Sequence, residues 1–232
     1  MTNAMKAALR HRGLSDSDIS GMTPEEAHKI LMTPDESAIR SFLETFVALA
    51  IKSLAGHPAP GLLATCFKAP DRDLMPVRYE ITDASVIEKI THDAMVASDA
   101  GLNVYIEGRL VKRGVRGKKR GELRDTACVF ALCVDSDVDN NMAWAPPIGL
   151  RPTLAVETSP NNHQFWFFFD KALPPVRAQR LGEGLRQAIG CDTDTGNPTQ
   201  PYRLPGTVNY PNRVKVARGR VVTPTLFLGA TI

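Results

Sequence analysis

The sequence predicts an α+β fold, with mainly antiparallel sheet flanked by helices. Three observations carry this. Strand-like and helix-like stretches alternate along the 232 residues, but without the regular strand–helix–strand spacing of a parallel sheet. Two apolar stretches, 152–159 and 164–170, are joined by residues suited to a tight connection, Pro160, Asn161 and Asn162. Helical signals mark 37–54, 84–97 and 174–190.

The elements follow in order. Residues 1–36 read as a helical N-terminal appendage. Thr23 caps, Pro24 takes the first helical position, and Glu25 and Glu26 fill the first turn. Residues 37–232 then form the main domain. Over 37–54, Ile39, Phe42, Phe46, Val47, Ala50, Ile51 and Leu54 recur at helical spacing and define one buried face. "GHPAPG" ends that helix. Residues 61–68 and 77–81 read as strands, 84–97 as a helix, and "LNVYIEGRL" at 102–110 alternates as a strand does.

Residues 111–124, "VKRGVRGKKRGELR", carry seven Lys or Arg side chains and three glycines. That composition predicts a basic loop that does not pack. Its cations Lys112, Arg113, Arg116, Lys118, Lys119 and Arg120 suit either solvent or a phosphate backbone. A buried strand at 126–135, the pair at 152–159 and 164–170, and a helix at 174–190 follow. That helix has Pro at its start and Gly190 at its end. "VVTPTLFL" reads as a last strand.

Hydrophobic residues make up 43% and charged residues 23%, which places the chain among ordinary globular proteins. A net charge of +3 is too small to argue for a nucleic-acid partner by itself. Cys66, Cys128, Cys133 and Cys191 show no paired or zinc-type spacing and read as reduced thiols of a cytoplasmic protein. No apolar run approaches the ~20 residues of a membrane span.

The chemistry concentrates at 133–141, "CVDSDVDNN". On a strand, Asp135 and Asp137 project from the same face. Two adjacent carboxylates repel unless a cation lies between them, and oxygen ligands on a strand end suit Mg²⁺ or Mn²⁺. An acidic turn after a strand is the plainer alternative. An EF-type calcium loop is excluded, because Pro146 stands where its twelfth-position Glu would be. Asp192 and Asp194 are candidate third acids. Arg203 and Lys215 are candidate phosphate partners, and Ser159 and His163 offer a hydroxyl and an imidazole at a hairpin tip. Pro205-Gly206 demands a turn, with Arg203 and Asn209 on its flanks.

Together and in this order, the Asp135/Asp137 pair, "SPNNHQ" and "YRLPGTVNYPN" resemble the archaeo-eukaryotic primase superfamily. The nearer likeness is to the RepB-like primase and primase-polymerase domains of plasmids, phages and integrated elements. The "RLPGTVN" phrase is its most specific part, and the likeness covers roughly 37–220. The resemblance implies a two-part catalytic core containing an RRM-like sheet, with the active site in the cleft between the halves. It implies template-directed nucleotidyl transfer in the replication of a mobile element or phage. Two Mg²⁺ or Mn²⁺ ions would be held by Asp135, Asp137 and Asp192, with Asp194 the other reading of the third acid. NTP or dNTP would be the substrate, held by Ser159, His163, Arg203, Asn209 and Lys215. Single-stranded DNA would be the template, on Lys112, Arg113, Arg116, Lys118, Lys119 and Arg120. A replicative helicase would act in trans or in a longer chain, since no Walker-type phosphate loop occurs in these residues. A metal-dependent nuclease and a non-catalytic single-stranded DNA-binding initiation module are the competing readings. The family's middle motif usually spaces Ser and His two apart; here they stand four apart.

Overall fold

A computed structural model describes residues 1–55, 61–115, 117, 119–136, 149–189 and 195–230. Three helices open the chain: α1 (Asn3–His11), α2 (Asp16–Ser20) and α3 (Pro24–Leu31). Thr2, Ser15 and Thr23 accept from the third backbone N–H of each, and Ser15/Asp18 and Thr23/Glu26 complete capping boxes. They enclose a small core of their own, Leu9, Ile19, Ala27 and Leu31. His11 Nε2 meets the Phe227 carbonyl at 2.6 Å, and the half-buried Arg12 guanidinium binds the carbonyls of Ile30 and Leu31.

The main sheet is built from β1 (Leu62–Lys68), β2 (Met75–Tyr79), β3 (Asn103–Val111), β4 (Thr126–Ser136), β5 (Leu154–Ser159), β6 (Asn162–Leu173), β7 (Tyr202–Arg203) and β10 (Leu226–Ala230). Its order is β10-β5-β6-β4-β3-β1-β2, with β7 added to β3, and every pairing is antiparallel. β8 (Val208–Asn209) and β9 (Thr223–Pro224) form a separate ribbon. The expected α+β fold is the observed one.

Helix α4 (Glu36–Leu54) packs on one face of the sheet with α5 (Val86–Asp99). The Phe46 ring stands edge-on to Phe130, Trp166 and Phe168 at 5.5, 5.2 and 5.2 Å. Helix α6 (Pro175–Ile189) covers the other face over β4 and β6, packing near Val129, Leu132, Val134 and Phe165. Among the described residues, no helix is long and apolar enough to cross a membrane.

Three expectations need correction. β2 lies two residues earlier than the strand read at 77–81. The last strand is broken: Thr225 separates β9 from β10, and its buried hydroxyl bonds the carbonyls of Leu204 and Thr207. The second half of the basic stretch does pack. Arg109 donates to the carbonyls of Arg120, Gly121 and Glu122, and a 3-10 turn follows at Leu123–Asp125.

Cys66, Cys128 and Cys133 are buried, and no disulfide joins any two of them. Burial also raises the Cys66 and Cys128 thiols, the latter to about 11. All three are expected to resist alkylation in the native protein and to react after denaturation, as read by peptide mass spectrometry. Modification of any of them under native conditions would contradict this packing.

Candidate functional site

The site begins where β3 and β4 separate. They pair only between Arg109–Val111 and Thr126–Val129. Nearer its start β3 pairs instead with β7, Tyr105 opposite Arg203 and Ile106 opposite Tyr202. The freed edge of β4 is taken up by the segment that carries Thr195 and Gly196. The Gly196 N–H donates to the Cys133 carbonyl at 3.0 Å, and the Asp135 N–H donates to Thr195 Oγ1 at 2.6 Å. Two chain segments therefore fix the backbone at Asp135: the Thr195 hydroxyl on one side and β6 on the other.

Arg203 enters the fork from β7. Its guanidinium lies 4.6 Å from the Tyr105 ring centre and donates to Asn103 Oδ1. The same oxygen accepts from the Tyr210 N–H at 2.8 Å, so Asn103 ties together both ends of "RLPGTVNY". Between those ends the chain reverses at Pro205-Gly206, as expected. Gly206 has φ +82°, its carbonyl accepts from the Asp35 N–H, and Thr207 Oγ1 donates back to the Leu204 carbonyl at 2.6 Å. The buried turn thus serves two ends: it aims Arg203 into the fork and receives the start of α4. Asn209 Nδ2 donates to the Thr158 carbonyl at 2.8 Å. Burial lowers the Arg203 pKa, and Tyr105 and Asp135 oppose that shift. Arg203 forms no ion pair with a carboxylate among the described residues.

Ser159 closes the β5–β6 turn, where Asn161 takes φ +65°. Its oxygen accepts from Asn162 Nδ2 at 2.8 Å and Arg220 Nη1 at 3.0 Å. These groups border one cleft of about 340 Å³, within the range of small-molecule sites. It is lined by Asp135, Ser159, His163, Arg203, Asn209 and Lys215, all expected from sequence, and also by Tyr105, Gln164 and Arg220, which were not. Arg220 had a signal, the recurring cations of "RVKVARGR" at 213–220. Lys215 lies on the short helix α7 (Arg213–Ala217).

The register decides which side chains face Asp135. Asp135 is opposite Gln164, and Ser136 is opposite His163. Opposed residues share a face and neighbours alternate. Gln164 therefore shares the Asp135 face, with Cys133 and Trp166. The His163 ring belongs to the α6 face, stacked on Phe165 at 5.7 Å. Asp137, Asp192 and Asp194 lie outside the described residues, as do Arg116 and Lys118. Among the described residues no three His, Cys, Asp or Glu side chains gather as a metal centre.

The remaining loop cations are away from this lining. Lys112 Nζ donates to the Arg124 carbonyl at 2.8 Å. Arg113 chelates Glu80 on an exposed surface. Arg120 binds buried Glu107 and the Thr199 carbonyl, joining the loop to the segment that leads into β7. No ion pair is found for Lys119 among the described residues; its carbonyl accepts from Arg78.

Sequence comparison decides the family. The profile of the RepB DNA-primase N-terminal domain matches residues 76–223, more than half of the chain. The chain belongs to the RepB primase family. Two solved structures share its fold. One is the archaeo-eukaryotic primase domain of the cyanophage S-2L primase-polymerase, with TM-score 0.57 and 17% identity over 86% of this chain and 92% of that one. The other is primase RepB', with TM-score 0.50 and 18% identity over 80% of this chain and 56% of that one. No curated protein sequence matches the chain. At such identities the structural likeness establishes the fold: a curled antiparallel sheet flanked by helices, as in archaeo-eukaryotic primases. Within the RepB-like primase fold, the fork between β3 and β4 is where Asp135 and Arg203 come together.

Proposed function

We propose that this RepB-family domain is a template-directed nucleotidyltransferase, a primase or primase-polymerase, serving replication of a mobile element or phage. The observation that carries the reading is Arg203. A half-buried guanidinium, bonded to the Asn103 amide oxygen and set against the Tyr105 ring, lines the same cleft as Asp135 and forms no ion pair within contact distance of a carboxylate among the described residues. A nucleoside triphosphate supplies that anion.

The described lining fits metal-assisted phosphoryl transfer. Three cations, Arg203, Lys215 and Arg220, border the cleft with one carboxylate, Asp135, at the end of a strand fixed on both sides. Asp135, Asp137 and Asp192, or Asp194 in its place, would hold two Mg²⁺ or Mn²⁺ ions. When bound, such ions favour the ionised attacking hydroxyl and neutralise the triphosphate. Arg203 and Lys215 hold the phosphates by charge-assisted hydrogen bonds. Ser159 and Asn209 orient them, and His163 contributes from the rim of the opposite face. Lys112, Arg113, Arg116, Lys118, Lys119 and Arg120 would follow the backbone of a single-stranded DNA template, which makes binding sensitive to salt. Arg120 does so through the loop it fastens.

The test is incorporation of labelled NTP and dNTP on single-stranded DNA with Mg²⁺ or Mn²⁺, comparing wild type with Asp135→Ala. Metal-dependent product from wild type, falling to background in the variant, is expected. A wild type that binds the template but incorporates nothing, primed or unprimed, would overturn the reading. Metal-dependent cleavage of the template instead of extension would make it a nuclease.

A further inference from the structure

Gln164, the last residue of "SPNNHQ", stands out among the cleft residues to which the sequence assigned no role. It is 6% exposed, yet it lines the cleft. It lies directly across from Asp135, so the two side chains leave the same face with Cβ atoms about 5 Å apart. Its Oε1 is buried without a hydrogen-bond partner among the described residues. A buried acceptor left unmade is costly, and folded proteins rarely keep one. Its neighbours Asn162 and His163 are accounted for: Asn162 Nδ2 braces the Ser159 turn and the His163 ring rests on Phe165.

We infer that Gln164 is a substrate-positioning residue, whose amide oxygen accepts an O–H donor arriving with the bound nucleoside triphosphate. This rests on the reading of the cleft given above and adds the residue that aligns the substrate beside Asp135. Two sources carry that O–H: a sugar hydroxyl, or a water held by an ion at Asp135. Both present a donor to a neutral acceptor. A carboxylate at this position would instead add charge to the Asp135 site, whereas an amide does not.

A structural alternative exists. Trp166 Nε1, two residues along on the same face, is also buried and unpartnered. Were the amide there to serve the indole, its removal would strand that donor.

The two roles predict opposite signs. Gln164→Met is isosteric and cannot form the bond; Gln164→Ala repeats the test at smaller size. Without nucleotide, Gln164→Met is expected to melt at the wild-type temperature or about 2–4 °C above it, because an unmet acceptor is removed. Equilibrium binding of a fluorescent nucleoside triphosphate with Mn²⁺ is expected to weaken about tenfold in both variants. A loss confined to NTP, with dNTP unaffected, identifies the ribose 2′-hydroxyl as donor. A loss common to both assigns the ion-held water or the 3′-hydroxyl, and a 2′,3′-dideoxynucleotide separates those two. If wild type binds and Gln164→Met binds equally, or if both variants melt well below wild type with binding unchanged, the inference falls and Gln164 is structural. If wild type itself binds no nucleoside triphosphate, the reading of the cleft falls first and takes this inference with it.

Discussion

Replacing Arg109 by methionine is expected to cost about 3–5 kcal/mol of folding free energy, measured as a shift in urea midpoint at constant slope. Arg109 is fully buried and uses every N–H it has. Nε donates to Glu107 Oε2 at 2.6 Å, Nη1 to Thr126 Oγ1 and the Glu122 carbonyl, and Nη2 to the carbonyls of Gly121 and Arg120. Its removal strands three loop carbonyls and leaves the fully buried Glu107 with Arg120 as its remaining ion-pair partner. Arg109→Lys restores a charge for Glu107 but cannot reach the spread of acceptors, and should fall between the two. Glu107→Leu combined with Arg109→Met should cost less than the sum of the single changes, by about 1–3 kcal/mol.

The pH dependence has a definite sign. Burial raises the Glu107 carboxyl, and Arg109 and Arg120 pull it back. Without Arg109 the folded-state pKa rises further above the unfolded value of about 4.3. The stability linked to a raised group is fully present below the unfolded pKa and lost as pH rises through the folded one. The deficit of Arg109→Met should therefore shrink toward pH 4. A loss below 1 kcal/mol at neutral pH would mean that the loop does not depend on this side chain.

That cluster also shows where sequence reading stops. "LNVYIEGRL" alternates, and alternation places Glu107 and Arg109 on a wet face. In the fold both are dry, because each meets the other's charge and the loop folds back over them. Long-range closure of this kind leaves no periodic trace. The α4 helix, the β4 strand and the Pro205-Gly206 turn were legible, because each is determined by its own residues: spacing, an apolar run, and a backbone that only glycine adopts readily. β7 was not, since two residues carry no period and it exists through its pairing with Tyr105 and Ile106. The hairpin motif was legible as a hydroxyl and an imidazole at a tip. Which of His163 and Gln164 faces Asp135 depends on the β4–β6 register, which a single strand's sequence does not encode.

Gly182→Ala tests whether that geometry reaches Asp135 through α6. A Cβ at Gly182 would lie 1.9 Å from the Gly196 carbonyl oxygen, too close for any side chain to be accommodated without movement. Alanine favours a helix interior by about 1 kcal/mol over glycine, but forced overpacking against backbone costs about 1–3 kcal/mol or more. The segment that must yield is the one holding the site: Thr195 accepts from the Asp135 N–H, and the Gly196 N–H bonds the Cys133 carbonyl and the Tyr202 hydroxyl. Gly184, two residues further along the same helix, is exposed, and a methyl group there would meet nothing within 4 Å. Gly184→Ala should therefore stabilise by about 0.5–1 kcal/mol with nucleotide incorporation unchanged. Gly182→Ala should lower the urea midpoint and reduce incorporation beyond what its folded fraction explains, because the end of β4 loses its second anchor. Equal midpoints for the two alanine variants would show that α6 yields instead of the segment. Thr195 and β6 would then both go on holding Asp135, and incorporation should stay at the wild-type level.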